Sequence, residues 1–148
     1  MRSNMLHLFV HLGSALFGGA SYIVLELLWR GHSHWTMFFL GTICFELVGI
    51  LNEILPWSTP FPVQMVLGSG IVTAFELITG LVVNVHLGWA VWDYSGAPFN
   101  FVGQICLPYS LLRLLLSAVI IVAEDYIDYW CGIGEPPKYY FRMNGGNR

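Results

Sequence analysis

The chain has 148 residues, of which 56% are hydrophobic and 10% charged, with mean hydropathy +0.65 and a formal net charge of −3. Soluble domains carry about 25% charged residues, so this composition excludes a soluble domain and describes an integral membrane protein of one domain. A single Lys and the lack of a basic patch exclude nucleic acid as a partner, and three scattered Cys (Cys44, Cys106, Cys131) give neither a disulfide framework nor a zinc spacing.

The first predicted span covers residues 5–29. A signal peptide would have a shorter apolar region followed by a small-residue cleavage site. This run instead stays apolar through Tyr22-Ile-Val-Leu25, which predicts a mature helix. Arg30-Gly-His-Ser-His34 is a polar turn, and a second span is predicted at 35–55. Pro56, Pro60 and Pro62 forbid continued helix and give a stiff connection to a third span at 63–85. Residues 86–104 then hold two Trp, an Asp, a Tyr, an Asn, a Gln, a Pro and three Gly. Gly96 and Pro98 break helix, while Trp89, Trp92 and Tyr94 suit a membrane–water boundary. This stretch reads as an ordered re-entrant or interfacial loop. A plain anchoring loop is equally compatible with the residues. The fourth span is predicted at 105–127, with Pro108 tolerated in its first turn. Residues 131–148 form a polar tail whose Tyr139-Tyr-Phe141 suits a membrane surface.

Each run meets the roughly 20 residues that a bilayer crossing needs. The expected fold is therefore all-α: a polytopic membrane bundle of four transmembrane helices, with the loop before the last. All six Trp (Trp29, Trp35, Trp57, Trp89, Trp92 and Trp130) fall at span ends, as an aromatic belt requires. Four spans put both termini on one side, together with Arg2, Lys138, Arg142 and Arg148. The positive-inside bias places that side, and the tail, in the cytoplasm. A faint echo links Phe45-Glu-Leu-Val-Gly49 and Asn52 to Phe75-Glu-Leu-Ile-Thr-Gly80 and Asn84. It reads as a relic of an inverted repeat or as chance between apolar segments.

Carboxylates in apolar runs carry the functional signal. Glu26, Glu46, Glu53 and Glu76 lie in or at the ends of the first three spans, where a charge costs several kcal/mol unless paired, protonated or wet. At about 1.5 Å per residue, Glu46 lies about 16 Å, Glu76 about 15 Å and Arg113 about 12 Å from the outer ends of their spans. The shared level predicts that Arg113 pairs with Glu76 or Glu46. Ser69, Thr73, Glu76, Gly80 and Asn84 share a helical face, as do Thr42, Glu46, Gly49 and Glu53, and as do Gly18, Tyr22, Glu26 and Arg30. Small residues on such faces allow close helix contact. Either these polar groups line a transport path or they are hydrogen-bond glue between helices. His7 and His11 are one turn apart and His32 and His34 flank Ser33, but no third ligand accompanies either pair, so no metal is assigned. No phosphate-binding loop, zinc-protease motif or nucleophile motif is present. The chain implies no cofactor and supplies no ATP hydrolysis of its own.

Glu76-Leu-Ile-Thr-Gly80, Trp92-Asp-Tyr-Ser95, Pro98-Phe-Asn100 and Gly103-Gln-Ile-Cys-Leu-Pro-Tyr-Ser110 together resemble the type IV (CmpB-like) ABC transporter permease family of bacterial integral membrane proteins. Leu28-Trp-Arg-Gly-His-Ser-His-Trp-Thr-Met37, Asn52-Glu53 and Gly134-Glu-Pro-Pro-Lys-Tyr139 resemble one branch of it, so the likeness covers nearly the whole chain. One departure is Arg113, where the resemblance implies an aromatic, usually Trp. The resemblance implies a multi-pass protein of the bacterial cytoplasmic membrane and a transport role. If ATP drives that transport, a separate ATPase subunit must supply it. The resulting expectation is a small permease-like component in which Glu46, Glu76 and Asn84 line a polar route. Asp93, Tyr94, Asn100 and Gln104 would form its outer mouth, and a second copy of the chain would help enclose it within the lipid bilayer. The competing expectation is a membrane scaffold or assembly factor. An intramembrane enzyme using Glu76 and Asp93 ranks last, for want of a nucleophile or metal.

Overall fold

A computed structural model describes residues 2–56 and 58–141. Trp57 of the aromatic belt, and Arg142 and Arg148 of the charge bias, lie outside the described residues. The chain forms α1 (Arg2–Arg30), α2 (Trp35–Gly49), α3 (Leu51–Ile54), α4 (Phe61–Gly80, extended by a π-helical turn Leu81–His86), a hairpin of β1 (Asn100–Phe101) and β2 (Ile105–Cys106), and α5 (Leu107–Trp130).

Local chemistry sets these boundaries. Gly31 follows α1 with φ +74°, the left-handed conformation that closes helices without a Cβ penalty, and its N–H donates to Leu27 O at 3.0 Å. His34 caps α2 from an extended conformation, and Thr36 N donates to its Nδ1 at 3.4 Å. α4 and α5 each carry Pro in the first turn, where the missing N–H has no partner to lose.

Met5–Arg30, Phe61–His86 and Leu107–Trp130 are long and apolar enough to cross a membrane. The second span differs from the single helix expected at 35–55. α2 is 15 residues long and is separated from the four-residue α3 at Ile50. Gly49, a poor helix former, packs so closely on the Glu124 side chain that a Cβ there would overlap it. After it the chain tightens: Glu53 N and Ile54 N both bond to Ile50 O. Leu55 is then extended (φ −86°, ψ 144°), as the following Pro56 demands.

α2, apolar but shorter than those three, is the most enclosed helix. Eight of the fifteen residues of α2 are buried, and Met37, Leu40, Cys44 and Val48 form the core with Val72, Ile121 and Trp92. The three long helices surround it and keep apolar outer faces, as a bundle in lipid requires. α1 lies against α2, and α4 against α5. The α1–α2 contact is close because glycine permits it: Gly18 sits against Phe45, Gly19 against Phe38 O and Thr42, and Gly41 against Tyr22. Ser69 Oγ donates to Ser110 O (3.2 Å) and Ser117 Oγ to Met65 O (2.8 Å), tying α4 to α5.

Contacts also define two ends. At one, His34 and Trp35 of the first turn meet Trp89 of the central loop at ring separations of 5.6 and 5.8 Å. At the other, the N-terminal third of α1, α3, the end of α5 and the tail come together. The tail folds back on the bundle: Tyr139 packs on Phe61 (4.9 Å) and its hydroxyl donates to Asp125 Oδ2 at 2.8 Å. Burial and Asp125 hold that phenol far above its ordinary pKa. Tyr139→Phe is expected to loosen the tail at a cost of about 1.5–3 kcal/mol, the range for a hydrogen bond to a charged group. Faster proteolytic cleavage after Cys131 would register it.

Candidate functional site

Glu76 is on the inner face of α4 and Arg113 on that of α5, with 2% and 6% exposure. They form an ion pair between Arg113 Nη2 and Glu76 Oε2. Each partner has further support. Tyr94 OH donates to Glu76 Oε1 (3.3 Å), and Arg113 Nη1 donates to Ser110 Oγ (3.3 Å). Tyr94 stacks on Tyr109 at 4.7 Å, and Trp29 Nε1 donates to the Tyr109 hydroxyl at 3.3 Å. Burial pushes the Tyr94 phenol up to about 12, so near neutral pH it is a proton donor to the carboxylate.

This group forms one wall of a cavity of about 300 Å³ between α1, α2, α4 and α5. Glu26, Arg30, Glu76, Arg113, Tyr22 and Tyr94 are its polar lining, and the rest is mostly apolar. Glu26 pairs with Arg30 and accepts from Ser33 Oγ at 2.5 Å. The cavity therefore has two acids and two bases, each acid beside a base. Such a surface neutralises its own charge and still offers donors and acceptors to a polar solute.

The structure brings Arg113 to Glu76 and not to Glu46. Glu46 is at the same nominal depth but on another face. It points to α1, where Ser14 Oγ donates to its Oε1 at 2.6 Å and His11 Nδ1 lies 3.4 Å from Oε2. Because α2 ends at Gly49, Glu46 is also within a turn of the tail end of the bundle rather than at its middle.

Of the residues expected at the mouth, Tyr94 alone reaches the ion pair. Asn84 holds the loop: its Nδ2 donates to Trp92 O (3.0 Å) and Gln104 Oε1 (2.8 Å), and its Oδ1 accepts from Val91 N (2.7 Å). Gln104 is buried, and its carbonyl accepts from Trp92 Nε1 at 3.0 Å. Asn100 ties Ser95 O and Ala97 O to Gly103 N. Asp93 is exposed and caps Ser95, accepting from its N–H (2.8 Å) and hydroxyl (2.5 Å). Those bonds hold its pKa below the ordinary carboxylate value, so the cap is complete above that value and is lost only as pH falls through the lowered one. Gly103, at φ +67°, lets the hairpin turn lie against this cap, where a Cβ would meet Ser95 Oγ at 2.6 Å. The loop is thus a built scaffold that aims Tyr94 inward. Asn84→Ala should cost about 1–3 kcal/mol by leaving buried loop groups unpaired. Hydrogen exchange of residues 87–106 is expected to accelerate while that of α1 and α2 stays unchanged.

A second polar cluster, not foreseen from the sequence, occupies the tail end. It gathers His11, Glu46, Glu53, Glu124 and Asp128 from α1, α2, α3 and α5. Glu124 and Asp128 are four apart on one helical face, a signal that was present at the end of the fourth span. Their approach to His11 depends on helix placement and has no sequence signature.

A family model described as "Putative ABC-transporter type IV" matches residues 14–131. No curated protein and no solved structure matches the chain.

Proposed function

The chain belongs to the family described as "Putative ABC-transporter type IV", and from that membership we propose that it is the membrane-embedded, permease-like component of a transport system. The observation that carries the reading is the buried Glu76–Arg113 pair on the wall of the cavity, with Tyr94 directed onto it from the central loop. A solute entering beside the loop would meet Tyr94 first and exchange hydrogen bonds with the pair. The route would continue past Glu26 and Arg30 along α1, and the exposed Asp93 would lie at its rim. In this reading Asn84, Asn100 and Gln104 shape the mouth rather than bind solute, and Glu46 serves the opposite end.

The chain performs no catalytic step in this scheme. It contains no phosphate-binding loop, so ATP-driven transport requires a separate ATPase subunit. A cavity bounded on all sides within the bilayer calls for a second copy of the chain. The positive-inside bias orients the tail end toward the cytoplasm of a bacterial cell and the loop end outward.

A second reading has its own support. Ser69, Ser117, Asn84 and Gln104 are all engaged in bonds that join elements of the bundle, as expected of a membrane scaffold whose polar groups are glue. Purification of the tagged chain from native membranes in mild detergent, with mass spectrometry and a complex mass, separates the two. The permease reading expects an ATPase subunit in stoichiometric amount. A homo-oligomer without ATPase contradicts ABC-type transport.

A further inference from the structure

The tail-end cluster is a concentration of acid with little base. His11 Nδ1 lies 3.4 Å from Glu46 Oε2 and 4.0 Å from Glu124 Oε1, and its Nε2 lies 4.0 Å from Glu53 Oε1. Among the described residues, His11 is the one base within ion-pair distance of these three acids. A charged imidazole could offset only one of the acids gathered at this end of an apolar bundle. Carboxylates so enclosed persist when protonated, paired or bound to a metal.

Two buried atoms point to a bound cation. Glu124, with its side chain 4% exposed, has Oε1 without a hydrogen-bond partner, facing His11. Asp128, 7% exposed, has Oδ1 likewise unpartnered. Both are acceptors taken out of water with no donor supplied, an arrangement that native interiors rarely leave unanswered. Ligand atoms of His11, Glu53 and Asp128 also lie within 4.8 Å of one another. Ligands bound at about 2.0–2.2 Å to one ion stand at most about 4.4 Å apart, so small side-chain rotations would bring the three onto a common centre.

We propose that His11, Glu53 and Asp128 bind a divalent first-row transition-metal ion at the tail end of the bundle, with Glu124 and Glu46 completing its surroundings. The imidazole selects against Mg²⁺ and Ca²⁺, which favour oxygen ligands throughout, whereas a mixed nitrogen and carboxylate set suits Mn²⁺, Fe²⁺ or Zn²⁺. Glu53 is 59% exposed on its side chain and provides the way in. Its ligands come from three elements, so it would fix the N-terminal third of α1 to α3 and α5. The site is at the opposite end from the Glu76–Arg113 cavity and stands whether or not that cavity conducts a solute.

The test uses the purified full chain in mild detergent, stripped with chelator and titrated with Mn²⁺ while free Mn²⁺ is followed by electron paramagnetic resonance. One Mn²⁺ per chain is expected. Loss of a ligand should weaken binding at least as much as the roughly 10–100-fold typical of supporting residues, in both Asp128→Asn and the more exposed Glu53→Gln, with His7→Ala unchanged. Mn²⁺ should raise the thermal midpoint of the wild type by mass action. Asp128→Asn should raise the metal-free midpoint by relieving repulsion, yet abolish the Mn²⁺-dependent rise. Should Asp128→Asn fail to fold, Glu53→Gln decides. The assignment is overturned if the wild type binds no Mn²⁺ at neutral pH, if the ligand variants bind as well as the wild type, or if Mg²⁺ at equal concentration displaces Mn²⁺.

Discussion

Arg113→Gln is expected to destabilise the bundle by about 3–5 kcal/mol, because it strands the buried Glu76 carboxylate without a countercharge. Glu76→Gln should cost a comparable amount by stranding the guanidinium. The double variant, Glu76→Gln with Arg113→Gln, should be less destabilised than the sum of the two, with a coupling of about 0.5–3 kcal/mol as found for residues in direct contact. Reversible unfolding in mixed detergent measures all three. Additivity within about 0.5 kcal/mol would show that the pair contributes nothing as a pair. The two groups are 2% and 6% exposed and supported by Tyr94 and Ser110, so neither charge can turn to water when the other is removed.

The second large effect concerns the α1–α2 contact. Gly19→Ala would place a Cβ 2.7 Å from the backbone carbonyl of Phe38. No side-chain rotation relieves that overlap, so α1 and α2 must separate. Overpacking of this kind costs about 1–3 kcal/mol, and the displaced helix would also disturb the Tyr22 wall of the cavity. Gly13→Ala is the matched control on the same helix, since a Cβ there meets nothing within 4 Å. Its expected effect is a stabilisation of up to about 1 kcal/mol from helix propensity. Equal effects at the two positions would contradict the close contact.

These residues also show what a sequence can and cannot say. The bundle and its three long apolar helices were legible because the apolar runs are long and their ends are marked by Pro, Gly and Trp. Depth along a helix was legible for the same reason, and it set Glu76 and Arg113 at one level. Direction around the helix axis was less so. Glu46, set at that level by the same count, instead faces α1 near the tail end, because α2 stops at Gly49 and its side is fixed by the Gly18–Phe45 and Gly41–Tyr22 contacts, which are tertiary. The break at Ile50 was hidden, since Leu51–Ile54 reads as continued helix and only the Gly49–Glu124 contact marks it. In the loop, residue types suggested a solute-lining mouth. Asn100 and Gln104, together with Asn84 expected along the route, instead spend their hydrogen bonds on backbone and on each other, a choice that backbone geometry makes. His11 looked like a partner for His7 by spacing, yet its neighbours are acids from three other elements.

The ATP turnover of the assembly recovered from native membranes, compared between wild type and Glu76→Gln, tests the central claim most directly. If the cavity wall is part of a transport route, each complex that the destabilised variant still assembles with the same ATPase subunit should turn over at about a tenth of the wild-type rate or less, a barrier change of about 1.4 kcal/mol. Equal turnover in an equally assembled complex would contradict the claim and leave the Glu76–Arg113 pair as structural glue.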